Sequence, residues 1–257
     1  MPNDKKDLIN LDDIVEEWAL DRFRKFATKK QAKIPKEALH MEINWKLVNF
    51  THSEPDYKDA QKVAKPMSKV LFKTHFTNDT DNEQNYSFKM ERTTRSTCHV
   101  EFEEGYTVGH EVSISLKLPQ EVVTANAGFH EELEITKAGG ETKEEEMTWA
   151  VDSPIQVSPN KLVIAEHVIS EEQFNAQFVI NTTIKGRVQV IFTNLNDNNS
   201  FVTSIYGKIA DICKKHKNVF TAKDEGSVTT QFKGQCKFRY AIEQHIKLTQ
   251  SDLNDKK

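Results

Sequence analysis

Residues 110–118 read HEVSISLKL, the sharpest alternation in the chain. On an extended strand Val112, Ile114, Leu116 and Leu118 share one face, and Glu111, Ser113, Ser115 and Lys117 share the other. Nine residues in that conformation span about 30 Å, which matches the hydrocarbon core of a bilayer. A turn-like stretch follows, PQEVVTANAGF (119–129), with Asn126 and Gly128 as its turn formers. HEELEITK (130–137) then returns, with Leu133 and Ile135 on one face and Glu132, Glu134 and Thr136 on the other. Carrying the apolar face back through Phe129 places Glu131 on it, a position suited to an interface and costly at mid-bilayer. Any half-buried antiparallel strand alternates in the same way. The pattern alone therefore predicts a two-faced hairpin over about 107–137 and leaves open what covers its apolar face.

From residue 70 onward the same grammar continues. Threonine, serine, valine and isoleucine rise, and candidate strands cover 70–76, 86–104, 106–118, 129–137, 146–152, 161–169, 174–192, 201–213 and 227–248. Only 9 glycines serve 257 residues, so turns are few and strands long. FVINTTIKGRVQVIF (178–192) and SVTTQFKGQCKFRYAIEQHIKL (227–248) would each reach ~50–75 Å at roughly 3.3 Å per residue, with bulges expected at Gly186 and Gly234. Before residue 70 the character differs. LDDIVEEWALDRFRKFATKKQ (11–31) has Leu11, Ile14, Val15, Trp18, Arg22 and Phe26 at helical spacing, acids in its first turns and bases in its last. It predicts a helix docked on its own domain. HMEINWKLVNF (40–50) alternates as a strand between Pro35 and Pro55.

Composition narrows the function. Hydrophobic residues make up 37% and charged residues 29%, with a net charge of −4, so neither nucleic acid nor an anionic surface is the expected main partner. No apolar run approaches the roughly 18 residues of a spanning helix, and MPNDKKDLIN has no apolar stretch behind it that would make a leader. Cys98, Cys213 and Cys236 are odd in number and far apart, which predicts small buried thiols. There is no glycine-rich phosphate loop, no His-Glu-x-x-His and no Gly-x-Ser-x-Gly elbow, and the nine histidines do not pair at ligand spacing. No enzyme, metal or cofactor is expected.

The flanks of the hairpin carry a further signal. FTNDTDNEQNYSF (76–88) leads into a threonine-rich strand, MERTTRSTCHVEF (90–102), and GYTVGHEVSISLKLP (105–119) opens the hairpin. MTWAVDSPIQVSPNKLVIAEHVI (147–169), with Pro154 and Pro159, closes it, and EGSVTTQFKGQCKFRY (225–240) forms a glycine-containing last strand. This ordered set, over about residues 70–248, resembles the aerolysin-type β-pore-forming proteins, in the epsilon-toxin and mosquitocidal-toxin branch. The resemblance implies a mainly β, elongated fold of long twisted antiparallel strands with an amphipathic insertion hairpin, plus a small N-terminal α/β segment. It divides the chain into an N-terminal region (1–69) as the candidate receptor-binding part, a pore-forming module (70–250) and a disordered tail (251–257).

The resemblance further implies a soluble monomer that binds a lipid membrane and a receptor, forms a homo-oligomer, and inserts its hairpins into one barrel. Val112, Ile114, Leu116, Leu118, Phe129, Leu133 and Ile135 would face lipid. Glu111, Ser113, Ser115, Lys117, Glu132, Glu134 and Thr136 would line the lumen. Such a protein is secreted or released to act at target-cell membranes, and without a visible leader it is compatible with cytoplasmic storage. The alternative is a non-lytic binding or regulatory protein on the same fold.

Overall fold

The structure is a computed structural model that describes residues 7–63, 66–125, 127–224 and 226–253. Its organising element is a single strand of 34 residues, β10 (Lys161–Asn194). The sequence reads there as two strands, 161–169 and 174–192. The stretch between them does not break the chain, because the ladder absorbs it as an irregularity at Ser170/Glu171. Fully extended, β10 would span ~110 Å at roughly 3.3 Å per residue.

Both edges of β10 are filled in relay. One edge takes β13 (Ser227–Asp252) from Lys161 to Lys185, then β11 (Ser200–Lys208) from Arg187 to Asn194. The other takes β5 (Met67–Asn78), β4 (Asp56–Lys62), β3 (Val48–His52) and β2 (Leu39–Asn44) in turn. Both edges change partner at Gly186. Its φ is +124°, and a Cβ there would lie 2.1 Å from the Leu47 carbonyl oxygen, so only glycine fits. The same changeover explains why the strand expected over 40–50 is two strands: the chain turns at Trp45–Leu47 to follow the branching sheet. The irregularity expected at Gly234 is present, at Lys233/Gly234.

Beyond β13 the sheet continues to β6 (Gln84–Thr107), and β9 (Glu141–Val157) lies on the far edge of β6. β1 (Asp7–Asn10) runs parallel to β6 at Glu104–Thr107 on that same far edge, and β12 (Thr221–Asp224) pairs with β13. The result is a mixed sheet of 11 strands. The predicted strand over 201–213 stops at Lys208. Ile209–Cys213 is helix α3, whose Ile209, Ala210, Ile212 and Cys213 are all buried, a helical clustering that strand alternation cannot produce. The tail is ordered further than expected, with β13 extending through Asp252; residues 254–257 lie outside the described residues.

Helix α1 (Leu11–Phe26) begins where the Asn10 side chain accepts from the Asp12 amide at 3.1 Å. It buries Leu11, Ile14, Val15, Ala19 and Phe23, and Phe23 stacks on Phe192 at 5.0 Å. It ends five residues before the sequence-predicted limit. Phe26 is 73% exposed and contributes nothing to the stripe. Two cores result. The larger joins α1, α3, the middle of the sheet and the central hairpin. The smaller, around Phe88, Ile155, Val157, Val163 and Ala165, lies between the β6–β9 ribbon and the β5–β10–β13 layer. At the tip of this stem Asn78, 1% exposed, donates from Nδ2 to the carbonyls of Asn82, Val157 and Ser158 at 2.8, 3.0 and 3.1 Å. Its Oδ1 accepts from the amide and hydroxyl of Thr80. The Asn-x-Thr of residues 78–80 is thus a polar clasp.

Candidate functional site

The central hairpin is present but shorter than its alternation suggests. Strand β6 stops at Thr107; Gly109 and His110 both take positive φ, 60° and 66°. Only β7 (Ile114–Lys117) and β8 (Glu132–Ile135) ladder, as a separate two-stranded sheet. The expected strands over 106–118 and 129–137 are therefore corrected to four residues each. The connection is not a simple turn either, since it contains the short helix α2 (Gln120–Thr124), which buries Val122. Asn126 lies outside the described residues.

The face assignment of every other candidate residue can be read directly. Val112, Ile114, Leu116, Leu118, Leu133 and Ile135 are all buried, and Phe129 is half-buried with its ring edge-on to Phe238 at 6.0 Å. Glu111, Ser113, Ser115, Lys117, Glu132, Glu134 and Thr136 are all exposed, as is Glu131. The buried face lies on the large core, with Phe174, Phe178, Phe232 and Phe238 of β10 and β13 among its members. Burying six aliphatic side chains contributes on the order of 10 kcal/mol gross. Hydrocarbon would receive the same face without loss of that term, because lipid is as apolar as a protein core.

The polar contacts that hold the hairpin down are few. The Tyr57 hydroxyl donates to the Lys117 carbonyl at 2.7 Å, and Lys117 Nζ reaches Glu54 at 2.8 Å. The second contact is exposed and contributes little. Ser115 Oγ donates to Glu132 at 2.8 Å within the hairpin. At its base Asp12 of α1 accepts from the Gly109 amide at 2.5 Å and from Trp45 Nε1 at 2.9 Å, tying helix, sheet and hinge together. Sequence reasoning missed Asp12 and Tyr57 in these roles, because neither lies near the hairpin in the chain.

An open crevice of about 580 Å³ remains between hairpin and sheet, lined by His52 and Tyr106 on one side and Ile114 and Ile135 on the other. His52 accepts or donates at Nδ1 with Thr182 Oγ1 (2.9 Å), and burial lowers its pKa below the ordinary 6.5. The three cysteines are buried thiols, as expected; burial pushes Cys213 and Cys236 up to about 12 and raises Cys98 as well. A buried thiol with a raised pKa is a poor nucleophile.

Comparison with known proteins gives a consistent result. Residues 39–257 match the family model described as Clostridium epsilon toxin ETX/Bacillus mosquitocidal toxin MTX2. The structure is similar to a non-toxic crystal protein from Bacillus thuringiensis, with 15% identity and a TM-score of 0.60, covering 96% of this chain and 98% of that one. It is also similar to a chain of the Cry23Aa1 and Cry37Aa1 binary protein complex, with 14% identity and a TM-score of 0.53 over 96% of this chain and 91% of that one. At these identities the likeness is one of fold. No curated protein sequence matches the chain.

Proposed function

Because the chain belongs to the Clostridium epsilon toxin ETX/Bacillus mosquitocidal toxin MTX2 family, whose members are non-enzymatic pore-forming toxins, we propose that it forms a β-barrel pore by inserting the hairpin at about 107–137. The observation that carries the reading is the hairpin's two-sidedness. One face is buried against the sheet and the other is wholly exposed, with few polar ties between the hairpin and the rest of the fold. The face buried here is the face that lipid would accept, and the exposed face is fit to line water. Because an open sheet edge cannot sit in hydrocarbon, insertion requires several copies closing one barrel. The module of 70–250 supplies the barrel strands. A receptor contact is assigned to the N-terminal region together with β11, where Phe26 (73%) and Tyr206 (55%) stand exposed around a groove of about 570 Å³.

A non-lytic reading rests on the fold shared with the non-toxic Bacillus thuringiensis crystal protein. One experiment separates the two: dye release from liposomes of total lipid extract, beside a non-boiled gel for oligomers. Release with a high-mass band supports the pore. Neither release nor band from several lipid sources supports the binding protein.

A further inference from the structure

The two ladders that meet at the hairpin base are out of register with each other. Paired residue numbers add to 241 throughout β6–β9, from Gln84 with Val157 to Val100 with Glu141. They add to 249 in β7–β8, where Ile114 faces Ile135. The offset is eight residues. The breaks that absorb it are visible as the positive φ values of Gly109 and His110 on one side and Gly140 (φ +98°) on the other. Gly140 already lies against Val100 and Glu101, where the next rung of the longer ladder would be.

Eight is an even number, so moving the hairpin from one register to the other keeps every side chain on its face. What changes is which residues stand opposite. In the docked register Leu118 lies across from Glu131, whose carbonyl accepts its amide at 2.8 Å. If the β6–β9 register is continued, Val112 meets Phe129, Val108 meets Leu133 and Tyr106 meets Ile135. The two polar interruptions of the apolar face, His110 and Glu131, then meet each other, and Glu104 meets Lys137. Opposite partners on adjacent strands offset one another where a lone carboxylate in lipid would not. The apolar stretch also lengthens. From Tyr106 to Leu118 the strand would run ~40 Å at roughly 3.3 Å per residue, or about 30 Å of bilayer depth at a tilt near 40°. Residues 112–118 alone would cover about 15 Å on the same basis.

We propose, building on the pore reading above, that insertion slips the hairpin by eight residues into the β6–β9 register, unwinding α2 and pairing His110 with Glu131. The slip has a second requirement. Residues 134–137 must occupy the edge of β6 at Glu104–Thr107, and that edge is held by β1, in the register Asp7–Glu104 to Asn10–Thr107. Strand β1 is therefore a placeholder that has to leave, and with it the contact from Asp12 to the Gly109 amide.

The test uses the full chain with engineered cysteine pairs. Glu111→Cys/His130→Cys is opposite only after the slip; Ser115→Cys/Glu134→Cys is opposite only before it. Each is oxidised in solution and again in oligomers isolated from liposomes of total lipid extract, and the bridge is mapped by peptide mass. The slip predicts that Glu111→Cys/His130→Cys closes in the oligomer and not in solution, with the reverse order for the other pair. An Asp7→Cys/Glu104→Cys bridge pinning β1 reduces release to background until reductant is added. Oligomers that release dye yet still close Ser115→Cys/Glu134→Cys, or release dye with β1 pinned, overturn the slip and leave the pore reading standing. No release from the unmodified chain overturns both.

Discussion

Tyr57→Phe removes one hydroxyl and leaves the ring in place. In the docked state that hydroxyl donates to the Lys117 carbonyl at 2.7 Å, linking β4 to β7 of the hairpin. The Lys117 side chain and its surroundings are exposed, so water replaces the lost donor, and the cost is that of an ordinary hydrogen bond, about 1 kcal/mol. That is about a fivefold increase in the population with the hairpin lifted, if the rest of the fold is unchanged. Native-state hydrogen exchange reads this directly, because local openings are resolved segment by segment. Amides of 114–118 and 132–135 are expected to exchange about fivefold faster at the stated cost, with those in the middle of β10 and β13 unchanged. Dye release, where undocking limits the rate, should rise in parallel. Equal acceleration throughout the chain would mean that Tyr57 supports the whole fold. No acceleration anywhere would mean the bond does not hold the hairpin, and either result rules out Tyr57 as a specific tie on it.

Three further outcomes follow from the same geometry. Asn78→Ala leaves the buried Val157 carbonyl without its donor and should cost about 2 kcal/mol in urea unfolding, while exchange in the hairpin stays as it is. His52 is held neutral by burial, so its contribution is fully present above its ordinary pKa of 6.5 and declines as pH falls through that value. Thermal midpoints should therefore drop between pH 7.5 and 5.5, and His52→Phe should flatten that slope; Glu111 and Glu134, which line the same crevice, attract the protonated ring and limit the drop. Equal slopes would show that His52 does not set the pH dependence. The exposed face holds Glu111, Glu132 and Glu134 against Lys117, so reversal potentials should show mild cation preference that Glu132→Gln/Glu134→Gln reduces. Anion preference would show the faces are exchanged.

The hairpin's faces were legible from residues 110–118 and 130–137 because alternation is local: each side chain's face follows from its number. The long strands were legible from sparse glycine and β-branched runs. Lengths and joins were not. Whether Ser170–Gln173 interrupts a strand depends on neighbours more than sixty residues away, which hold Glu171 opposite Ala241. The split at Trp45–Leu47 depends on Gly186, and the helix at Ile209–Cys213 on a core that wants four apolar residues packed together. The docked register was also hidden. The offset between the β6–β9 and β7–β8 ladders is a property of two pairings, and one strand's pattern carries no information on it. Asp12 and Tyr57 reach the hairpin through tertiary contacts across 97 and 60 residues of chain.

In the proposed pore, the face now buried on the sheet is the face that meets lipid. A single-cysteine scan with an environment-sensitive dye, along 111–118 and 132–136, tests it most directly on oligomers in liposomes; the three native cysteines are buried and label poorly. The expected result is a period of two, with apolar emission at 112, 114, 116, 118, 133 and 135 and aqueous emission at the positions between. Aqueous emission throughout, or the opposite phase, would contradict it.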